Sequence, residues 1–245
     1  MKRKTLILSL LTLVFTGLGP AYALAAGKEI LMVVTSADRI AEGKPTGLWL
    51  EEFAVPYLLF RQAGFSVTVA SPKGGVAPID PRSLADAAKH KDWETAASVL
   101  KETVPLARVT PEKYTAIILP GGHGTMFDFP GDRHLKELLR QFSVSDKVIA
   151  AVCHGPAGLV GATGADGKPL VAGKTITAFT DAEEKAINLD KEMPFLLETK
   201  LREEGATFVA GEKWAAHVQV DGKLVTGQNP ASSEGVAKAV IRLLQ

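Results

Sequence analysis

Short apolar runs alternate along this chain with longer segments whose apolar residues recur at helical spacing. The runs rich in β-branched residues predict buried strands at 29–35, 65–70, 114–119, 147–152 and 174–180. The periodic segments predict helices at 48–62, 132–141, 193–203 and 232–244. Strands that alternate with helices indicate a mainly parallel sheet covered on both faces. The predicted fold is therefore an α/β, three-layer α/β/α sandwich of flavodoxin-like type.

The remaining segments are less regular. The polar, alanine-rich stretch 81–109 predicts one or two short helices that cap the sheet, and 206–209 predicts a short strand. Segment 218–225, with Asp221-Gly222 at its turn, predicts a hairpin. Ser232 is the expected N-cap of the last helix. Because no repeat and no linker divides the chain, we expect one domain over residues 27–245.

The first 26 residues have the pattern of a secretory signal peptide. Three basic residues precede an apolar run from Leu6 to Leu18, and Ala23-Leu24-Ala25 offers an A-x-A cleavage site. The run is short for a membrane span, although an uncleaved anchor is the alternative. We therefore expect residues 1–26 to be removed near Ala25 and the mature protein to be periplasmic or secreted.

Composition narrows the classes of partner. The whole chain of 245 residues carries a formal charge of +1, and loss of the segment 1–26, which holds three basic residues and no acid, changes it to −2. A nucleic-acid partner is therefore not expected. No stretch after residue 26 is apolar for long enough to predict a membrane span. One cysteine in the chain leaves no intrachain disulfide.

That cysteine, Cys153, follows the strand 147–152 and precedes His154, Gly155 and Pro156. A buried strand halted by Gly-Pro predicts a sharp turn at its carboxyl end, where chemistry collects in open α/β sheets. A buried structural thiol is the alternative. A second turn, Pro120–Gly124, places Gly121 and Gly122 after another strand, and adjacent glycines let backbone N–H groups approach a ligand.

The two turns together suit nucleophilic catalysis. The Cys153 thiol would attack an electrophilic carbon, and the N–H groups of Gly122 and His154 would stabilise the developing oxyanion. A helix beginning at the turn and the His154 ring would lower the pKa of the thiol. The histidine in turn needs an acid to orient it. Spacing alone does not choose among the acids near the predicted strand ends, which are Glu51, Glu52, Asp181, Glu183 and Glu184.

Five motifs, in order, resemble the ThiJ/PfpI superfamily over residues 28–245. They are Thr46-Gly-Leu-Trp-Leu-Glu-Glu52-Phe-Ala-Val-Pro56, Leu-Pro120-Gly-Gly-His-Gly124, Val-Cys153-His154-Gly155-Pro156, Phe179-Thr-Asp-Ala-Glu-Glu184 and Thr226-Gly-Gln-Asn-Pro-Ala-Ser232. This resemblance implies the class I glutamine amidotransferase-like fold with a nucleophile elbow. Within the superfamily, the motifs are most similar to the glutathione-independent glyoxalases (glyoxalase III, D-lactate dehydratase) that also act as stress chaperones.

The resemblance implies a role for each matching residue. Cys153 is the expected nucleophile with His154 as its histidine, and Glu52, four residues before Pro56, is the acid that contacts the thiol. The end of the Phe-Thr-Asp-x-x-Glu segment selects Glu184 over Glu183 as the third member. Gly122 matches the oxyanion glycine, and Gly121 and His123 share its turn and are expected near the substrate.

The implied activity is conversion of methylglyoxal-type 2-oxoaldehydes to 2-hydroxy acids without a metal or organic cofactor. Unfolded or glycated proteins are further expected partners, and a homodimer is the expected assembly. The main alternative is an exported chaperone or redox sensor with little catalysis. An amide hydrolase is less favoured because His217, the one late histidine, lacks a following His-x-Glu pattern. The five histidines are also scattered, so their spacing predicts no metal site.

Overall fold

The computed structural model describes residues 28–40, 43–87 and 89–245. The segment predicted to be a signal peptide lies outside these residues. In chain order the elements are β1 (Glu29–Val33), α1 (Leu50–Gln62), β2 (Ser66–Ser71), α2 (Leu84–Ala87), α3 (Asp92–Ser98), β3 (Val104–Pro105), β4 (Tyr114–Leu119), α4 (Thr125–Asp128), α5 (Arg133–Val144), β5 (Val148–Val152), β6 (Thr175–Ile176), α6 (Asp181–Ala186), α7 (Leu197–Glu203), β7 (Thr207–Phe208), β8 (Val218–Asp221), β9 (Leu224–Gly227) and α8 (Ser233–Leu244). Among the described helices, none has the length and apolar character that a bilayer crossing requires.

Seven strands form one twisted layer in the order β3-β2-β1-β4-β5-β9-β8. All neighbours are parallel except β8 and β9, which form the predicted hairpin at one edge. The strand order changes direction between β1 and β4, because β2 lies on one side of β1 and β4 lies on the other. Parallel strands bring their carboxyl ends to one edge of the sheet, and a crevice opens where the order reverses.

The central strands are buried on both faces, which explains their almost uninterrupted apolar sequences. Alternate residues point to opposite sides. One set packs against α5 and α7, and its strand members are Leu31, Val33, Ile117, Leu119, Ile149 and Ala151. The other set packs against α1, α3 and α8, and its strand members are Ile30, Met32, Ala116, Ile118, Val148, Ala150 and Val152. The predicted three-layer α/β/α arrangement is confirmed.

The predicted cap over 81–109 is only partly helical. It contains the short helices α2 and α3, but Val104–Pro105 forms the edge strand β3 and pairs with Ala70 and Ser71 of β2. The hydroxyls of Ser71 and Thr103 lie 2.7 Å apart and help hold this edge. A strand of two residues has no alternating pattern to detect, and an edge position tolerates the proline.

The predicted strand at 174–180 was too long. Only Thr175–Ile176 is a strand, and it pairs with β7 in a separate two-stranded sheet. The rest of the run stays extended beside the main sheet, because the Thr177 N–H donates to the hydroxyl of Thr226 and the Phe179 N–H donates to the carbonyl of Cys153. Burial explains why this run is apolar. Most of the run nevertheless does not pair as a strand of the sheet.

Ser232 is the N-cap residue of α8, as predicted, but its side chain makes no capping hydrogen bond. It ends a short 3-10 turn, Pro230–Ser232, that leads directly into α8. Its hydroxyl bonds Asn229 instead and accepts from the N–H of His217. The serine therefore joins the β8 side of the sheet to the turn before α8.

Candidate active site

Cys153 stands on a sharp turn directly after β5, as predicted. Its φ is +59°, in the left-handed region that a residue with a side chain rarely adopts. The turn is held from both sides: the Cys153 N–H donates to the carbonyl of Gly227 at 2.9 Å, and the Cys153 carbonyl accepts from Phe179 at 2.9 Å. The side chain is buried, with 4% of its surface exposed. Backbone strain of this kind is characteristic of functional sites.

The element after the turn differs from the predicted helix. Residues Gly155–Gly158 form a single 3-10 turn. Gly155 is required there because a Cβ would lie 2.0 Å from the carbonyl oxygen of Leu119. This close approach packs the elbow against the end of β4.

A chain of hydrogen bonds runs from the thiol to a carboxylate. The Sγ atom of Cys153 lies 3.3 Å from Nδ1 of His154. On the far side of the ring, Nε2 of His154 lies 2.6 Å from Oε2 of Glu184, which projects from α6. The ring of Phe179 packs 4.4 Å from the His154 ring, centroid to centroid, and limits its orientation. The three groups have the geometry of nucleophile, base and orienting acid.

The other oxygen of Glu184 bonds His123, and this contact fixes the direction of the hydrogen bonds. Nδ1 of His123 lies 2.9 Å from Nη2 of Arg82, and its Nε2 lies 2.9 Å from Oε1 of Glu184. Arginine can only donate, so Nδ1 must accept and Nε2–H must donate to Glu184. Burial, followed by the charge of His154, lowers the pKa of His123 to about 4, which keeps its ring neutral.

Glu184 is held as a carboxylate. Burial would raise its pKa, but the charge of His154 and the hydrogen bonds from His123 and His154 together hold the pKa well below its usual range. An ionised Glu184 accepts from Nε2–H of His154, so Nδ1 is the ring nitrogen that faces the thiol. The ring nitrogen facing Cys153 is therefore the one able to act as a base.

Glu52 approaches the elbow from α1 and is completely buried. Its Oε2 accepts from the Gly121 N–H at 2.8 Å, while its Oε1 has no hydrogen-bond partner among the described residues. Burial raises the pKa of Glu52 to about 8, although the nearby Cys153 thiol and the Gly121 N–H act in the opposite direction. Burial and the charge of Glu52 likewise raise the pKa of the thiol, so the prediction of a lowered thiol pKa was wrong. At neutral pH Glu52 is protonated, which removes that charge from beside the sulfur.

The two adjacent glycines of the turn make different contacts. Gly122 has a φ of +101° and lines the cavity in front of Cys153. A Cβ on Gly122 would lie 2.4 Å from the carbonyl oxygen of Gly47, so only glycine fits. Gly121, which was predicted to lie near the substrate, does not line the cavity. Its N–H holds Glu52, and its carbonyl accepts from the N–H of Trp49.

The remaining acids have other contacts. Glu183 receives hydrogen bonds from Thr180, Trp214, Gln228 and Asn229. Asp181 accepts from the Thr199 hydroxyl, and neither Asp181 nor Glu51 lines the cavity. Of the acids that spacing left open, Glu184 is therefore the one bonded to His154.

The cavity that opens on the thiol has a volume of about 360 Å³. Its lining residues are Trp49, Arg82, Gly122, His123, Cys153, His154, Phe179, Ile187, Trp214 and Pro230. Sequence reasoning missed Arg82. The sequence Asp80-Pro-Arg-Ser offered a faint signal for Arg82, because Asp80 caps the short turn and holds the guanidinium by a paired contact.

The spacing of the histidines also failed to show one spatial cluster. Nitrogens of His123 and His154 and an oxygen of Glu184 lie within 4.8 Å of one another, close enough for a metal ion. Both carboxylate oxygens already accept from these rings, and the Arg82 cation lies against His123. A cation at this point would have to replace those hydrogen bonds and would be repelled by the guanidinium.

The fold is therefore a doubly wound α/β sheet with an elbow cysteine at its carboxyl edge, beside an adjacent histidine and two buried acids. The DJ-1/PfpI family model matches residues 46–243, and the chain belongs to that family.

Its relatives include the glutathione-independent glyoxalase HSP31 of Saccharomyces cerevisiae. That protein is 32% identical over 237 residues, which cover 90% of this chain and 99% of the yeast protein. The crystal structure of glyoxalase III from Candida albicans has a TM-score of 0.81 at 30% identity, covering 88% of this chain and 97% of that one. The Rapid Encystment Protein of Francisella tularensis has a TM-score of 0.84 at 35% identity, covering 89% and 99%.

Proposed function

We propose that this protein is a glutathione-independent glyoxalase that converts 2-oxoaldehydes to 2-hydroxy acids with Cys153 as its nucleophile. The observation that carries the proposal is the hydrogen-bonded chain from Cys153 through His154 to Glu184, with buried Glu52 on the other side of the elbow. The names of HSP31 and of the Candida albicans enzyme support the same activity.

In the first step, Nδ1 of His154 takes the thiol proton and the thiolate adds to the aldehyde carbon, C1. A bond forms between Sγ and C1, and the C1 carbonyl oxygen gains the proton, giving a hemithioacetal. The carboxylate of Glu184 stabilises the imidazolium that forms in between. The N–H groups of Gly122 and His154 are the proposed donors to the transient oxyanion.

In the second step, a proton moves from C1 to C2. Removal of the C1 proton and addition of a proton to the C2 oxygen give an enediol. Protonation of C2 and loss of the C1 hydroxyl proton then give a thioester whose C2 carries a hydroxyl. Glu52 or His154 is the proposed carrier of this proton, and a carboxyl group with a pKa near 8 suits acid–base work at neutral pH. Water then cleaves the thioester, releasing the 2-hydroxy acid and the thiol. The net change is addition of one water to the 2-oxoaldehyde.

The decisive test measures lactate formed from methylglyoxal in the absence of glutathione. Freshly reduced wild type should produce lactate, and Cys153→Ala should reduce kcat/KM by at least about a thousandfold, because no other group supplies the nucleophile. Glu52→Gln should also lose most activity. Arg242→Met, on an exposed face of α8, is the matched control that should retain activity. Failure of reduced wild type to form lactate would contradict the proposal and favour a holdase or redox-sensing role.

We further propose that the mature protein is exported and acts as a homodimer. Export is supported by the basic, apolar and A-x-A pattern of residues 1–26. The homodimer is supported only by the resemblance to the superfamily, and sedimentation of the purified protein would test it.

A further inference from the structure

Trp214 adopts an unfavourable conformation at the mouth of the cavity. Its φ is +67°, which for a bulky residue is an outlier, and 47% of its surface is exposed. A strained backbone and an exposed indole both cost free energy. Such strain persists only where surrounding structure enforces it, and it clusters at sites of function.

The surrounding structure does enforce it, through Glu183. This carboxylate is completely buried, and its Oε1 accepts from the Trp214 N–H at 2.9 Å. The same oxygen accepts from the side chains of Gln228 and Asn229, and Asn229 also donates to the carbonyl of Ala215, the residue after Trp214. A buried anchor therefore fixes the backbone on both sides of an indole that itself stays out of the core.

The indole lies over the apolar part of the cavity. Its ring centroid is 5.8 Å from that of Phe179, which in turn packs on His154. Trp49 and Ile187 complete an apolar wall. The polar groups, which are Cys153 and its histidines together with Arg82 and Gly122, share the same cavity. A ligand that fills it must carry an apolar group beside its reactive carbonyls.

The volume of the cavity also favours a ligand that carries an apolar group. A volume of about 360 Å³ equals roughly a dozen waters at about 30 Å³ each. A three-carbon 2-oxoaldehyde fills only a small part of this space and leaves the aromatic wall against water. A flat ring on the ketone carbon would cover that wall, since aromatic rings favour offset or edge contacts at the observed spacing.

We propose that Trp214 is a specificity-determining residue and that the preferred substrates are 2-oxoaldehydes with an aromatic group on the ketone carbon. This inference rests on the proposed glyoxalase function and adds the substrate class.

The test compares initial rates on phenylglyoxal and methylglyoxal without glutathione, by measuring mandelate and lactate. Initial rates are needed because arylglyoxals also modify arginine slowly. Wild type should favour phenylglyoxal by about tenfold in kcat/KM. Trp214→Gly removes the ring and relieves the positive φ, and it should lower kcat/KM for phenylglyoxal about tenfold, mainly through KM, with less than about a threefold change for methylglyoxal. Trp214→Phe should recover most of the preference.

Phe127→Ala is the matched control, because Phe127 is an exposed aromatic that does not line the cavity. It should change neither substrate's kcat/KM. The ratio of the two substrates in each variant cancels their difference in intrinsic reactivity. An equal loss for both substrates in Trp214→Gly, or a wild type that makes lactate but no mandelate, would overturn the substrate class and leave the proposed function intact. A wild type that makes neither acid would overturn both.

Discussion

Arg82 influences the protonation of the site although it is not one of the reacting groups. It is clamped by Asp80, which in turn accepts from the hydroxyl of Thr46, and it donates to His123. That contact and the Glu184 carboxylate, which can only accept, together place the proton of His123 on Nε2. Glu184 accepts hydrogen bonds from both His123 and His154. The other ring nitrogen of His154 therefore faces the thiol.

Arg82→Met should therefore impair turnover more than binding. Without the guanidinium, Nδ1 of His123 loses its donor, and Glu184 alone is left to hold the tautomer and orientation of the ring. We expect kcat to fall roughly tenfold or more, because a wrong tautomer in a catalytic relay is costly. Arg82→Lys keeps a donor and should recover part of the loss. A pH profile of kcat that is unchanged in Arg82→Met would contradict the assignment of Arg82 as a positioning residue.

Glu52 makes stability depend on pH in a defined direction. Its pKa is about 8 in the folded protein and near 4.5 in the unfolded chain. Between those values the folded state holds a proton that the unfolded state has released, so stability is lost as the pH rises through that window. Glu52→Gln removes this titrating group, so the free energy of unfolding should fall less over this pH range, by about 1–3 kcal/mol. Urea unfolding at pH 5, 6.5 and 8 would measure it, and parallel curves for wild type and variant would refute it.

At the scale of elements, the β5 elbow depends on the contact between Gly155 and the end of β4. A Cβ at Gly155 would overlap the Leu119 carbonyl, and neither backbone can move without disturbing the sheet. Gly155→Ala should destabilise the fold by about 3 kcal/mol or prevent folding. Gly131→Ala is the control, since a Cβ there meets nothing within 4 Å and the residue has no positive φ. Denaturant midpoints for the two variants should separate clearly; a Gly155→Ala midpoint equal to that of the control would show that the elbow can shift.

The elements that were predictable are those with a long or strongly patterned sequence. The apolar runs gave β1, β4 and β5 within two residues, and the periodicity gave α1, α5 and α8 within three. The edge strand β3 was missed because a strand of two residues, Val104–Pro105, is too short to show an alternating pattern. The run 174–180 was misassigned because burial produces the same apolar composition whether or not a segment joins a ladder.

At the scale of the whole molecule, the site was predictable where it is local in sequence. Cys153 and His154 are adjacent, and the Gly-Pro that follows them predicts their turn. The contacts of Glu184 with His123 and of Glu52 with Gly121 join residues that are 61 and 69 positions apart. Spacing patterns do not relate residues so far apart, so Glu184 could be selected only from the family resemblance. The positions of Arg82 and Trp214 at the cavity became clear only from the folded structure.

Export predicts a change in the chain itself. If the N-terminal segment directs secretion, the protein recovered from a periplasmic fraction should begin near Ala26, and intact-mass measurement should show the loss of the residues before it. Replacing Lys2, Arg3 and Lys4 with glutamate should keep the full-length chain in the cytoplasm, because the basic region orients the apolar run. An unprocessed chain in the wild-type periplasm would instead indicate an anchor.

The left-handed turn at Cys153 also has a consequence for the order of events during synthesis. Its N–H donates to the carbonyl of Gly227, 74 positions later in the chain. Closing so long a loop is entropically expensive, and contacts of this separation form late. A partly synthesised chain therefore has its thiol but lacks the partner that orients it. The proposed nucleophile is therefore oriented only after residue 227 has been synthesised and has folded against β5.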